Sequence, residues 1–449
     1  MLIDLFFILL VACIGALVGC GTGVVVGLHI NNLSLILLSI SGIFGYVLAP
    51  LEALSGVDNF AVLLFAVFLV SAATAHTFVN IVPTTFLGAP NEDSALLALP
   101  SHSLLLKGRG HEAVWLSSLG SLGSVFLCFA LLLPFRFLIG EPGNLYGLVW
   151  EIMPFVLIAL SLVLIGTEHG EPFREKFGKN SIQSRLSGIG FAALVFSLSG
   201  IFGVVIFNMQ VQSPIGLPAP LLFPALTGLF GSSALLYSLR HEPLLPEQHV
   251  ESAYEVDFGK SLKSILTGTL SGTLVSILPG ATPAAGTIVA RALQRENDER
   301  AAMISISAVN TANSFFVLAM LFMFLKMRSG VALALDKVLI IPLWDTLLMP
   351  PSLAYLLIGV LVAAVFSYFL TCWLGKIFAV RIGKIAYRKL IIGAICFLGA
   401  MVFLFTGPKG MLVFLTGTTI GLLPIAFGVR RSHSMGVLLV PLILTLLFN

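Results

Sequence analysis

Long apolar runs, broken at a few places by glycine, proline and isolated polar residues, dominate the chain. They fall at 5–28, 33–50, 60–80, 113–138, 145–166, 186–208, 218–238, 262–280, 301–325, 331–349, 352–375, 390–406, 409–429 and 434–448. An α-helix rises ~1.5 Å per residue, so about 20 apolar residues cross a hydrocarbon core of ~30 Å. Several runs are too short or too interrupted to do so. The pattern therefore predicts about ten to twelve crossings together with re-entrant pieces.

Two of the interruptions match. Gly15-Ala-Leu-Val-Gly19 leads through Gly21, Gly23 and Gly27 into His29-Ile-Asn31-Asn32. Gly268-Thr-Leu-Ser-Gly272 leads into Pro279-Gly280-Ala-Thr282-Pro283. Aligned on the first glycine, Gly15, Gly19 and Gly27 fall on Gly268, Gly272 and Gly280. A helix that dissolves into glycine, proline and polar side chains frees N–H and C=O groups, which lipid cannot satisfy. Two such breaks at corresponding places point to a transporter site at a repeat interface.

The repeat extends further. Thr74-Ala-His76-Thr77-Phe78 lines up with Thr311-Ala-Asn313-Ser-Phe315, and Leu106-Lys107-Gly-Arg109 with Leu325-Lys326-Met-Arg328. Lys/Arg clusters at 174–185, 240–263, 291–300, 376–389 and 430–431 mark the cytoplasmic side, since basic loops stay inside. The N-terminus is then expected outside, with Lys107 and Arg109 inside and Lys326 and Arg328 outside, so the repeats are expected to be inverted.

Composition adds little to this picture. The chain is 58% hydrophobic and 10% charged over 449 residues, which leaves no stretch polar enough for a soluble domain. Its 43 glycines and 22 prolines suit close helix packing and broken helices. The five cysteines lie in apolar runs without a CxxC pair, so neither disulfides nor zinc are indicated. Residues 1–28 are read as the first transmembrane segment. A cleaved signal is disfavoured because its n-region carries Asp4 and no basic residue. The expected organisation is a first repeat at 1–140, intervening helices at 141–261, a second repeat core at 262–375 and C-terminal helices at 376–449.

The richest chemistry lies between Thr74 and Glu112, where Pro83, Gly88, Pro90 and Pro100 interrupt an apolar run carrying Asn80, Thr84, Glu92 and Asp93. This predicts a hairpin or re-entrant loop whose helix N-termini hold an anion and whose unwound carbonyls hold sodium. His29, Asn31 and Asn32 either face substrate or cap a helix end. His76 either relays a proton or is a hydrogen-bonded core residue. Glu92 and Asp93 either bind the coupling ion or cap a helix; Lys107 and Arg109 either bind an anion or anchor at the surface. Asn310, Thr311 and Asn313 suit a sodium or polar-substrate site, or interhelical hydrogen bonds. The histidines match no metal signature, and no Walker loop, nucleophile elbow or HExxH appears, so neither ATP drive nor hydrolysis is indicated.

At GAPNEDSALLALPSHSLLLKGRGHEAV, following AHTFVNIVP, the chain resembles the large permease subunit of tripartite tricarboxylate transporters, the TctA family. The likeness is greatest to its archaeal branch, through Gly27-Leu-His29-Ile-Asn31. The resemblance covers essentially the whole chain and implies a secondary transporter with two inverted repeats. In bacterial systems of this family, a solute-binding protein and a small membrane subunit assist a citrate-type carrier driven by an ion gradient. Archaeal-type members generally appear without the binding protein.

The sequence reading is thus an all-α polytopic membrane protein with two inverted-topology repeats, broken helices and re-entrant hairpins. It is expected in the plasma (cytoplasmic) membrane as a symporter of an anionic small molecule, most simply a di- or tricarboxylate. The alternatives are a polyprenyl-phosphate translocase and, remotely, an intramembrane enzyme. Candidate substrate- or ion-binding residues are Gly27, His29, Asn31, Asn32, His76, Thr77, Asn80, Thr84, Gly88, Pro90, Glu92, Asp93, Lys107, Arg109, Pro279, Gly280, Thr282, Asn310, Thr311, Asn313 and Arg328. No cofactor is expected beyond a coupling Na+ or proton, and no nucleic acid. A small membrane subunit or a second copy of the chain is the candidate protein partner.

Overall fold

The computed structural model describes residues 2–25, 30–39, 41–55, 57, 59–88, 96–168, 182–209, 213–214, 221–241, 246–251, 254–278, 283–294, 298–382 and 387–448. The described residues are mostly helical, with no strand among them. Eight helices are long and apolar enough to cross a membrane, and shorter apolar helices lie at Glu151–Gly166 and Leu222–Tyr237. The protein is a multi-pass α-helical membrane protein. The ten to twelve crossings expected from the sequence compare with these eight long and two shorter helices.

The central body is built from α1 (Leu2–Gly23), α2 (Ile30–Ser39), α3 (Ser41–Leu48), α4 (Phe60–Val79), α5 (Ile81–Leu87), α6 (Ala98–Leu106) and α7 (Gly110–Ile139). A second set from later in the chain packs against them, as described below. Between the two sets come α8 (Leu145–Gly166), α9 (Ile182–Phe207), α10 (Leu222–Leu226), a π-helical turn at Thr227–Ser232, and α11 (Ser233–His241). The second set is α12 (Phe258–Ile277), α13 (Pro283–Gln294), α14 (Glu299–Phe324), α15 (Gly330–Val338) and α16 (Pro351–Ile382). The chain ends with α17 (Tyr387–Phe427) and α18 (Gly436–Phe448). α17 bends at Gly407, whose positive φ of 65° is a conformation glycine adopts without strain, followed at once by Pro408.

Two apolar clusters stack end to end inside the central body, one around Trp344 and one around Phe86. They give the direction of each long helix. α1 enters the Trp344 cluster with Ile8 and Val11 and leaves through the Phe86 cluster with Ala16 and Cys20. α4 runs the same way, from Phe60 to Ala75 and Val79, and so does α16, from Leu353 to Ile382. α14 runs the opposite way, from Met303 to Phe322, and so does α7, from Ala113 to Ile139. α12 goes with them, from Ile265 to Ile277.

Glycine sets the closest helix contacts. On α1, a Cβ at Gly15 would meet Phe68 O at 2.6 Å, one at Gly19 would collide with the Ala72 backbone, and one at Gly23 would meet His76 O at 2.9 Å. On α12, Gly268 and Gly272 face the carbonyls of Ser305 and Val309 on α14 in the same way. Gly15 and Gly19 thus have twins in Gly268 and Gly272 at one constant separation, and their partners Phe68 and Ala72 have twins in Ser305 and Val309 at another. Small residues at every fourth position let backbones approach where lipid gives no apolar driving force.

The outer helices are exchanged. α7, next to α4–α6 in sequence, packs on α14 and α12; α16, which follows α15, packs on α4 and α1. Likewise α6 touches α14, and α15 touches α4. The remaining helices, α8 to α11 with α17 and α18, pack mainly on one another and form a second unit around Leu229, Phe230, Met435 and Leu439. This unit joins the 141–261 and 376–449 stretches, which the sequence reading kept apart. Its seam with the central body includes Gly88 against Leu235, and Leu96 and Leu278 packed on the second unit's core.

Candidate functional site

α4 and α14 cross antiparallel through the middle of the central body, and both are almost wholly enclosed. From Leu63 to Phe86, only Thr74 and Thr77 are not fully buried; from Ala301 to Met323, only Asn313 and Ser314 are not. The openings fall inside Thr74–Phe78 and Thr311–Phe315, the two segments that align in sequence, and Thr77 is the counterpart of Ser314. Neutral polar side chains are thus presented at mid-depth by both halves, next to the ends of the two glycine-packed helices.

On the first side, α1 ends beside His76. His76 is 1% exposed, and its Nδ1 lies 3.2 Å from Thr22 Oγ1. Thr22 donates its hydroxyl proton to Gly19 O at 3.0 Å. With its proton on Gly19 O, the Thr22 oxygen is free to accept from Nδ1 in the tautomer that carries the His76 proton there. Thr77 donates to Ala73 O at 2.9 Å and Thr84 to Asn80 O at 2.7 Å, so both hydroxyls keep only acceptor capacity. Asn80 is buried at the junction of α4 and α5.

The hairpin expected between Thr74 and Glu112 differs in form. Asn80 keeps right-handed helical angles, so α4 and α5 run on as one apolar stretch from Phe60 to Leu87. Pro83 does not break it, because it sits in the first turn of α5, where its missing N–H costs least. The helix stops at Gly88, in the left-handed region at φ 60°. Residues 89–95 lie outside the described residues, and α6 beyond them packs back on α5. The chain also reverses between α1 and α2 and between α12 and α13. Leu33 and Leu37 of α2 return to the Trp344 cluster from which α1 set out. α13 doubles back along α12, with Gln294 Nε2 donating to Thr267 Oγ1 at 3.3 Å.

On the second side, Asn310 and Thr311 are buried near the crossing, and Thr311 Oγ1 has no hydrogen-bond partner among the described residues. Arg328 reaches the last turn of α12. Its Nη1 donates to Ser276 O at 2.7 Å and its Nη2 to Tyr146 Oη at 2.7 Å, with the guanidinium 5.5 Å above the Tyr146 ring. A cation there complements the negative end of α12. Tyr146, Thr22 and Ser276 were not singled out by sequence reasoning. Each acts through a contact with a residue far away along the chain, and the residues alone carry no signal of that.

Lys107 and Arg109 are engaged elsewhere. Lys107 Nζ lies 2.6 Å from Glu299 Oε2, and Ser103 Oγ donates to Glu299 Oε1 at 2.5 Å. Arg109 holds Glu112 through Nε and Nη2 at 2.5 and 2.7 Å, and Arg300 Nε reaches the same carboxylate at 2.6 Å. The Glu112 hydrogen bond pushes the Arg109 guanidinium pKa up. Residues 247–251 and 254–256 lie across this turn: His249 N donates to Gly108 O at 2.8 Å, Gly110 N to Gln248 Oε1 at 2.9 Å, and Arg300 Nη2 to Glu255 O at 2.9 Å. The expected pairing of Lys107/Arg109 with Lys326/Arg328 is also not structural. The first pair stands between a short helix and a long one, the second between a long helix and a short one. The two pairs do lie at opposite ends of α14.

Gly27, His29, Pro90, Glu92, Asp93, Pro279, Gly280 and Thr282 lie outside the described residues. Asn31 and Asn32 belong to the first turn of α2, with side chains outside the description.

These features define a multi-pass membrane protein with two glycine-packed helix pairs, each leaving a polar opening in the burial of its enclosed helix, as suits a permease. The model of the tripartite tricarboxylate transporter TctA family matches residues 9–436, and the chain belongs to that family. An uncharacterized protein of Methanocaldococcus jannaschii is 27% identical over 442 residues, covering 97% of this chain and 98% of that one. No solved structure matches.

Proposed function

We propose that the protein is a secondary active transporter of an anionic small molecule, a di- or tricarboxylate such as citrate, driven by a sodium or proton gradient across the cytoplasmic membrane. The observation that carries this reading is the coincidence of the two openings, at Thr74/Thr77 and Asn313/Ser314, on antiparallel helices at mid-depth. The opposed directions of α1 and α12, of α4 and α14, and of α7 and α16 support two inverted repeats related by an axis in the membrane plane. Lys107, Arg109, Arg300 and Lys376 at the Phe86 end support that end as cytoplasmic.

In this reading a substrate hydroxyl donates to the Thr77 and Ser314 oxygens, whose own protons are spent on Ala73 O and Asn310 O, and a substrate carboxylate accepts from the Asn313 amide. Its charge is met by the N-terminal ends of α2 and α13, each following a break and each contributing about 0.3–1 kcal/mol, more where water is excluded. Arg328 adds a full charge beside the α12 terminus. The central body, with its substrate, moves against the second unit across the seam at Gly88, Leu96 and Leu278. A seam lined by a few apolar side chains resists sliding less than the interdigitated glycine contacts inside the body.

The test is uptake of labelled citrate into proteoliposomes under imposed sodium and proton gradients, with translocation of polyprenyl phosphate followed in the same preparation. Gradient-driven citrate uptake that is lost in Asn313→Ala is the expected result. Lipid phosphate crossing without citrate uptake would refute the carboxylate assignment.

A further inference from the structure

The helical hairpin α12–α13 contains two hydroxyls that nothing satisfies. Ser271 Oγ and Thr287 Oγ1 are each 1% exposed and have no hydrogen-bond partner among the described residues. A helical Ser or Thr ordinarily returns its proton to the carbonyl one turn back, as Thr273 does to Thr269 O at 2.7 Å in the same helix. Leaving a buried hydroxyl unpaired costs about 1–3 kcal/mol. Two such groups within one short hairpin call for a ligand.

Their placement is consistent with a shared one. Ser271 lies between Thr267, which accepts from Gln294 on α13, and Val275, which faces Gly286 of α13. Thr287 lies on the same face of α13 as Gly286, Ala290 and Gln294, turned toward α12 and α14. The two positions therefore stand at about the same height across the hairpin. Gly286 lets the backbones come close enough that a Cβ there would be 3.2 Å from Ser271 O. A helical carbonyl keeps a second lone pair beyond the one used by its backbone hydrogen bond.

The first repeat differs here, because α2 packs on α15 and α4 rather than along α1, and Val18 of α1 is exposed. At the constant separation that carries Gly15 to Gly268, Ser271 corresponds to Val18 and Thr287 to Ser34. Val18 has no oxygen to offer, and Ser34 spends its hydroxyl on Ile30 O at 2.8 Å. The oxygen pair belongs to one repeat only.

We propose that Ser271 Oγ, Thr287 Oγ1 and Ser271 O form a site for a partly dehydrated sodium ion between α12 and α13. Hydroxyl and carbonyl oxygens without a carboxylate suit a monovalent hard cation better than a divalent one. The site is one to two turns from the break that ends α12, so filling it would brace the hairpin that faces the substrate. This deepens the transport reading by naming the coupling ion, and rests on that reading for its role.

The test needs no substrate. Thermal unfolding of the purified full-length chain is followed in sodium chloride, potassium chloride and choline chloride at equal ionic strength. A saturable stabilisation specific to sodium is expected. Ser271→Ala and Thr287→Val should each weaken the apparent sodium affinity by roughly tenfold or more, about 1.4 kcal/mol. Thr287→Ser and Ser34→Ala should keep it. Absence of a sodium-specific shift in the unaltered protein, or its persistence in both Ser271→Ala and Thr287→Val, overturns the site. If Thr287→Val does not fold, Thr287→Ser and Ser271→Ala still decide the question. Failure here leaves citrate uptake untouched, and failure of citrate uptake leaves the sodium shift readable.

Discussion

Two glycines, two residues apart on α1, should respond oppositely to the same substitution. A methyl group on Gly19 would be driven into the Ala72 backbone, touching its O, C and Cα atoms. Backbone cannot rotate away as a side chain can, so α1 must separate from α4. Overpacking of this kind costs about 1–3 kcal/mol. A methyl group on Gly21 meets nothing within 4 Å and only gains helix propensity, about 1 kcal/mol. Gly19→Ala and Gly21→Ala should therefore differ by roughly 2–4 kcal/mol in stability. Gly272→Ala, aimed at Val309 O and Ala312 Cβ, should fall with Gly19→Ala. Intrinsic tryptophan fluorescence during heating in detergent measures all three. Equal stability of Gly19→Ala and Gly21→Ala would refute the close α1–α4 contact, and with it the matched packing of the two halves.

Arg109→Ala should cost about 1 kcal/mol or less, because Arg300 still holds Glu112, whereas Arg109→Ala with Arg300→Ala strands a buried carboxylate and should cost about 3–5 kcal/mol. Neither change should alter the KM for transported anion in uptake measurements; a large rise in KM for Arg109→Ala alone would return that residue to the binding site. Thr22→Val removes the oxygen beside His76 Nδ1 and should lower the uptake rate by about tenfold without unfolding the protein, read by initial rates beside the melting curve. Glu168→Gln weakens the carboxylate that accepts Arg430 Nε at 3.1 Å and meets His433 Nε2 at 2.7 Å, and should destabilise the second unit by about 1–3 kcal/mol in the same thermal assay.

Much of this architecture was written in local patterns. The spacing Gly15–Gly19 and Gly268–Gly272 could be read directly, because a four-residue repeat of small side chains has one use in lipid, to bring helices together. The likeness of Thr74–Phe78 to Thr311–Phe315 could be read for the same reason, and both segments proved to hold the gap in their helix's burial. What could not be read depends on contacts across the chain. Lys107 looks like an anion ligand until Glu299, far away in sequence, is seen beside it. Arg109 is different: Glu112, three residues on at the start of a helix, was a legible partner. Pro83 misled because proline ends a helix from its interior but not from its first turn, and the α4–α5 junction at Asn80 places it in the first turn. The union of α8–α11 with α17 and α18 leaves no local mark at all.

In the proposed mechanism an anion crosses where α4 and α14 meet. Initial citrate uptake in proteoliposomes, compared between the unaltered protein, Asn313→Ala, Thr77→Val and Lys107→Ala, tests it most directly. Gradient-driven uptake should fall at least tenfold in the first two variants and persist in Lys107→Ala. Uptake unaffected by Asn313→Ala and Thr77→Val but abolished by Lys107→Ala would contradict this mechanism.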